Sequence, residues 1–249
     1  MELTVLGSAA PYARPGNPCS GYLVTGGSGA VWLDAGPGTL AQLQRHTRLP
    51  ELDGIWISHL HADHCADLLT AFYALVYADQ PPQAPIPLYG PPGTADRLEG
   101  FLSNAGRSPL ERAFDVRELH DGHRARLGGM QLESRSVEHG MPGYAVRIHD
   151  GARSLAYSGD SAPCAALDAV ARDADLLLCE ADGDPPEDGQ RVHHSPEDAG
   201  RTAARAGAHR LVVTHVGPFL RTEEALRRAA AEYPGPVGHA DPGKVVSVD

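Results

Sequence analysis

Lysine is almost missing from this chain: Lys244 is the single one in 249 residues, and the 21 basic residues are outnumbered by 32 acidic ones. With a formal net charge of −11 and no Lys/Arg cluster, the sequence lacks the basic surface that displaces counterions from a nucleic-acid backbone. That argues against a nucleic-acid polymer as partner. No apolar run is long enough to span a bilayer, and no charged-then-apolar leader precedes a cleavage site. Cys19, Cys65, Cys164 and Cys179 have no paired short spacing, so they read as small buried residues in a reducing compartment rather than a disulfide framework. The expectation is a cytoplasmic protein that makes no membrane contact.

Histidine, by contrast, is concentrated. Ser58-His59-Leu60-His61-Ala62-Asp63-His64 follows the apolar run Ile55-Trp56-Ile57. Three imidazoles and a carboxylate within six positions, at the point where a buried strand opens into a loop, are what a borderline-soft divalent metal requires. Three further candidates stand at similar places. His139 follows the alternating segment Met130 to Val137, Asp160 follows Ala156-Tyr157-Ser158-Gly159, and His215 ends Leu211-Val212-Val213-Thr214, a run of strong β-propensity. Strand ends along one sheet edge can gather a site from distant positions.

This order (HxHxDH, then His, Asp and His) resembles the metallo-β-lactamase superfamily, and within it the ribonuclease Z and phosphodiesterase branch. Leu3-Thr4-Val5-Leu6-Gly7-Ser8, Trp32-Leu33-Asp34-Ala35-Gly36-Pro37-Gly38, Leu178-Cys179-Glu180-Ala181, His194-Ser195-Pro196 and Thr214-His215 carry the resemblance along the whole chain. It implies an α/β fold, a four-layer αββα sandwich of two mixed sheets with outer helices. It also implies two divalent ions, zinc or else manganese or iron. One would be held by His59, His61 and His139, the other by Asp63, His64 and His215, with Asp160 bridging both. Two such ions can activate a shared water, from which Asp63 would accept a proton. By the same resemblance His194 would protonate the departing oxygen, with Glu180 orienting it. The match there is to His-Ser-Pro where the family usually has His-Ser-Thr, and the competing reading of His193 and His194 is a polar helix-entry turn.

One departure bears on substrate. The transfer-RNA-processing members carry a long arm between the third His and the bridging Asp, whereas Asp160 follows His139 by only 21 positions. The expected substrate is therefore a small anionic phosphodiester such as a cyclic nucleotide. The alternatives are ester, thioester or lactone hydrolysis on the same fold, then transfer-RNA 3′-processing or a non-catalytic metal-binding role.

The coarse pattern is one domain, residues 1–249, of two similar halves, roughly 1–125 and 126–249. Strands are predicted near 2–6, 21–25, 30–34, 55–58, 130–137, 144–149, 154–158, 175–180 and 211–214, and helices near 65–78, 163–172, 195–206 and 222–232. Ser195 is a good N-cap, with Pro196 at the first helical position. The Pro-rich segment 79–87 reads as a rigid surface connection and the acidic segment 182–189 as a solvated loop. Asp34 is expected to fix a turn near the site rather than perform chemistry, and a homodimer fits the branch.

Overall fold

The alternation of apolar side chains along the strands decides the layering. In a strand, successive side chains point to opposite faces, and here the central strands are apolar on both faces. Tyr22 and Val24 join one buried cluster while Leu23 joins another; Val31 and Leu33 are likewise separated from Trp32, and Leu176 and Leu178 from Leu177 and Cys179. A strand apolar on both faces must be covered on both.

A computed structural model describes residues 1–103 and 106–249. Its strands are β1 (Glu2–Gly7), β2 (Gly21–Gly26), β3 (Gly29–Leu33), β4 (Gly54–Trp56), β5 (Ile86–Gly90), β6 (Phe114–Glu118), β7 (Arg124–Leu127), β8 (Met130–Val137), β9 (Gly143–His149), β10 (Ser154–Tyr157), β11 (Leu176–Glu180), β12 (Leu211–Thr214), β13 (Val237–His239) and β14 (Val245–Ser247). The helices are α1 (Thr39–Leu43), α2 (Ala62–Cys65), α3 (Asp67–Tyr77), α4 (Thr94–Leu102), α5 (Ala165–Ala171), α6 (Pro196–Ala206) and α7 (Thr222–Glu232).

Among the described residues the strands form two sheets, β14-β1-β2-β3-β4-β5-β6 and β13-β12-β11-β10-β9-β8-β7. Read from β14 and from β7, both run through three antiparallel pairings and then three parallel ones. The largest buried cluster lies between the sheets; a second seats α3 and α4 on the first sheet, and a third seats α5 and α6 on the other. The architecture is the four-layer αββα sandwich.

The similar halves do not coincide with the sheets. β7 begins at Arg124 and already pairs with β8, while β14 returns from the far end of the chain to pair with β1. The segments β5, β6, β7, β13, β14, α1 and α4 lie outside the predicted elements. Most are short, and β5 starts inside the stretch read as a Pro-rich connection.

What this frame does for function is to bring strand ends together. Asp34 follows β3, the histidine cluster follows β4, His139 follows β8, Asp160 follows β10, Glu180 closes β11 and His215 follows β12. Open α/β sheets place their sites beyond the C-terminal ends of parallel strands. The close approach of two loops here depends on Gly36, where a Cβ would sit 2.1 Å from the Asp63 carbonyl oxygen and 2.7 Å from the Cys19 Cβ. Gly36→Ala therefore pushes on α2, which carries Asp63 and His64. It should lower the melting temperature by about 3–10 °C, the range for an overpacking cost of roughly 1–3 kcal/mol; thermal denaturation followed by circular dichroism checks it.

Candidate metal centre and active site

Ring nitrogens converge on two points. At the first, His59 Nε2 lies 2.9 Å from His61 Nδ1, which lies 3.1 Å from His139 Nε2; Asp160 Oδ2 is 3.7 Å from His59 Nε2. At the second, His64 Nε2 and His215 Nε2 are 3.3 Å apart. Asp63 Oδ2 lies 3.6 Å and 3.3 Å from them, and Asp160 Oδ2 lies 3.4 Å from each. Asp160 thus stands between the two groups.

These contacts make poor sense as ordinary packing. Imidazole lone pairs facing one another at about 3 Å repel unless a proton or a cation lies between them. Asp160 Oδ1 is buried and accepts no hydrogen bond among the described residues, a cost rarely tolerated without a partner such as an ion. A tetrahedron with edges of about 3.3–3.6 Å has its centre about 2.0–2.2 Å from each corner, the range of zinc–imidazole and zinc–carboxylate bonds. The donor set and its spacing fit a divalent cation.

Three of the outward-facing nitrogens are held in turn, whereas His215 Nδ1 is buried with no hydrogen-bond partner among the described residues. His59 Nδ1 meets Ser58 Oγ at 3.0 Å, His139 Nδ1 meets the Val192 carbonyl at 2.9 Å, and His64 Nδ1 meets Asp34 Oδ2 at 2.7 Å. Partners of this kind fix ring orientation and raise ligand basicity. Asp34 is the most heavily engaged: its carboxylate also accepts from Ser58 N, Ser58 Oγ and the Tyr157 hydroxyl, each at 2.7 Å. Sequence reasoning gave Asp34 a turn-fixing part; the structure makes it the anchor of His64. Both Asp34 and His215 carry positive φ, 53° and 49°, a backbone state disfavoured for such residues and found where the surroundings over-determine it.

Electrostatics follow the geometry. Burial, reinforced by the His64 charge, holds His59 well below the ordinary histidine range, and burial also lowers His61 and His139. Those three therefore offer lone pairs. Burial opposes protonation of His64 as well, but Asp160 and Asp34 outweigh it and carry His64 well upward; burial likewise opposes the His215 charge, which Asp160 and Asp63 nonetheless raise. Cys65, next to the cluster, bonds the His61 carbonyl and is pushed by burial to about 11, so it stays a thiol outside both groups.

The expectation for His194 is corrected. His194 is fully buried, with Nδ1 on the Ser161 carbonyl at 2.5 Å and Nε2 on Thr202 Oγ1 at 3.1 Å. It is a satisfied core imidazole beneath α6. Glu180 bonds the neighbouring residue instead: His193 Nδ1 meets Glu180 Oε1 and Oε2 at 3.1 and 3.0 Å. His193 also stacks on His215 with centroids 5.9 Å apart and lies 3.9 Å from Asp160 Oδ2. Its side chain is 29% exposed, so its edge is open to an incoming molecule. Burial works against the His193 charge, yet Glu180 raises it to about 9; burial and Asp160 raise Glu180 to about 7. The two form a hydrogen-bonded pair, and the atoms they share are turned toward each other.

The reason for the swap is helix capping. Ser195 accepts from Asp198 N, and Asp198 reaches back to Ser195 N at 3.0 Å, a capping box that fixes the entry to α6. The residue just before the cap tucks onto Thr202 of the same helix, and the residue before that turns to the strand ends.

The beta-lactamase superfamily domain model matches residues 30–216. The chain belongs to the metallo-β-lactamase superfamily. It falls in the ribonuclease Z and phosphodiesterase branch. It is 38% identical over 242 residues to the uncharacterized protein ML1173 of Mycobacterium leprae, covering 95% of this chain and 85% of that one. It is 31% identical over 279 aligned positions to ribonuclease Z of Mycolicibacterium paratuberculosis, covering 100% and 99%. Among solved structures, the metallo-β-lactamase fold protein YhfI from Bacillus subtilis superposes with a TM-score of 0.84 at 24% identity, covering 98% of each chain. The family member described here is a metal-dependent hydrolase, with His and Asp groups positioned to hold the metal.

Two outcomes follow from these contacts. Asp34→Asn removes the charge that steadies His64, and retained metal after dialysis, measured by elemental analysis, should fall with an affinity loss of about 10–100-fold. For His194, burial lowers its folded-state value to about 4, well under the unfolded histidine's 6.5. The unfolded chain therefore takes up the proton first, and stability present above pH 6.5 is lost as pH falls toward 4. His194→Gln should flatten that acid limb in urea unfolding at stepped pH, although it lowers stability at neutral pH.

Proposed function

We propose that the protein is a dinuclear metal-dependent phosphodiesterase acting on a small phosphodiester such as a cyclic nucleotide. The observation that carries the reading is the Glu180–His193 pair set beside the two converging ligand groups. An alkoxide leaves a phosphodiester only if it is stabilised or protonated, and an imidazole with a raised proton affinity, steadied by a buried carboxylate and open on one side, supplies that proton. The thiolate that leaves a thioester depends on such a donor less.

His59, His61 and His139 would hold one ion and Asp63, His64 and His215 the other, with Asp160 shared between them; imidazole and carboxylate donors at these spacings suit zinc. Bound there, two divalent ions lower the pKa of a water and polarise the phosphoryl oxygens. The remaining steps belong to the chain. Asp63, 9% exposed and 3.3 Å from His215 Nε2, takes the proton from the attacking water. His193 gives its proton to the departing oxygen while Glu180 keeps the ring in place and stabilises its charged form.

The substrate is small on this reading for two reasons. The stretch between His139 and Asp160 is filled by β9, β10 and their turns, with no projecting arm to grip a folded RNA. The chain's net charge of −11 opposes a polyanion. A single phosphodiester meets that field only locally, at the cations.

Hydrolysis of a cyclic nucleotide by zinc-loaded protein is the test. A chelator should abolish turnover, and His193→Ala should reduce kcat by about 10²–10⁴-fold, whereas His194→Gln keeps most of the activity of whatever fraction folds. No turnover with both ions bound would move the assignment to ester, thioester or lactone hydrolysis; an unaffected His193→Ala would remove the proton-donor role.

A further inference from the structure

Three consecutive residues ahead of α6 reach three different parts of the site. The Val192 carbonyl accepts from His139 Nδ1 at 2.9 Å, the His193 ring bonds Glu180, and Arg191 Nε donates to the His193 carbonyl at 3.3 Å. The Arg191 guanidinium also pairs with Asp198 Oδ2. That same oxygen accepts from Ser195 N at 3.0 Å in the capping box. Residues 191–195 are therefore clasped at both ends by one carboxylate at the start of α6, with Val192 and His193 between the two attachments.

The rest of the loop is held elsewhere. Arg228 of α7 bonds Asp184 and also Glu197 of α6, the latter at 2.7 Å. The Asp182 carbonyl accepts from Gly217 N at 2.8 Å. These contacts fix the acidic stretch upstream of the clasp.

A surface ion pair by itself contributes little to stability, and the Arg191 side chain is 36% exposed. Its geometric effect is larger. A guanidinium is a rigid planar fork, so one group that reaches both a carboxylate and a carbonyl fixes the distance between them. Here the carbonyl belongs to the residue whose imidazole faces the site, and the carbonyl before it sets the ring of His139. Without the fork the backbone of Val192 and His193 is free to shift, and a misplacement of about 1 Å can cost a reaction about 10²-fold in rate.

We propose that Arg191 is a positioning residue. Through the His193 carbonyl it holds the proton-donating imidazole against Glu180, and through Val192 it holds His139 in its ligating orientation. The His193 part rests on the phosphodiesterase reading; the His139 part rests on the metal centre alone.

Kinetics of Arg191→Ala at saturating zinc, on two substrates, test the first part. A cyclic nucleotide expels an alkoxide that needs the His193 proton, whereas bis(p-nitrophenyl) phosphate expels p-nitrophenolate, which leaves without one. Asp198 keeps Ser195 and Arg201 as partners in this variant, so α6 keeps its cap. Arg191→Ala should lower kcat for the cyclic nucleotide at least about tenfold, with KM changed less than about twofold, and kcat for the aryl ester less than about threefold. In the His193→Ala background it should cost no more on the cyclic nucleotide than on the aryl ester, the non-additivity of two residues acting through one group. Arg228→Ala, which frees only the upstream stretch, should leave the ratio of the two rates at its wild-type value. Zinc affinity, measured by competition with a chromophoric chelator, tests the second part without turnover: one ion should bind about tenfold more weakly to Arg191→Ala than to the wild type.

Equal losses on both substrates, or the same pattern from Arg228→Ala, would make Arg191 a loop anchor and overturn the first part. Unchanged zinc affinity overturns the second. A wild type that hydrolyses neither substrate defeats the phosphodiesterase reading and the first part with it, whereas weakened zinc binding in Arg191→Ala still upholds the hold on His139.

Discussion

The carboxylate of Asp34 is the point on which the two sheets and the candidate metal centre are joined. It lies at the end of β3, wholly buried, and accepts from the backbone and hydroxyl of Ser58 after β4, from His64 in α2, and from Tyr157 in β10 of the opposite sheet. A buried carboxylate costs a great deal unless its lone pairs are filled, and four donors fill them. The same bonds that make Asp34 tolerable fix the first turn of the histidine cluster, the ring of His64 and the register of one sheet against the other. Its left-handed backbone, φ 53°, is the local cost of aiming the side chain inward from a strand end.

How much of this could be read in the sequence depends on how far local rules reach. The HxHxDH cluster was legible because a strand ending in a dense set of imidazoles has few other uses. His139, Asp160 and His215 were legible once strand ends were treated as one edge. The inner and outer faces followed from alternation, as Tyr22, Leu23 and Val24 illustrate. Short elements were not legible: β13 and β14 have three residues each, too few to display a period, and β14 owes its place to pairing with β1 rather than to its own composition.

His193 shows the limit most clearly. Two adjacent histidines before a helix are indistinguishable by residue type, and side-chain direction in a loop has no period to count. The cap was readable: Ser195, Pro196 and Asp198 announce the start of α6. What the cap does to the two residues before it was not. The deciding contact is Thr202, two turns into the helix, which provides a polar partner for one imidazole beneath α6 and leaves the other to Glu180. With the capping box fixing the entry to α6, partners beyond the two-residue motif, Thr202 in that helix and the distant Ser161 carbonyl, select which histidine faces the site.

Charge balance ties the site to its proposed substrate. Asp34, Asp63, Asp160 and Glu180 place four carboxylates in or against one mostly buried cluster. Burial of four negative charges without compensation is prohibitive, and in the chain alone the compensation comes from protons, which is why His64, His193 and His215 are all driven upward. Two divalent ions would supply the same compensation while leaving the ligand imidazoles neutral, as ligation requires. His193, which is not needed as a ligand in that arrangement, would keep its proton against Glu180 and leave the cluster with one positive charge in excess. On the proposed reading, a phosphodiester with its one negative charge would close that balance, whereas a neutral ester or lactone would not. In the proposed mechanism Asp63 takes a proton from the attacking water as His193 gives one to the leaving oxygen. The cluster therefore keeps the same net charge through the reaction, while the proton moves from one side of the site to the other.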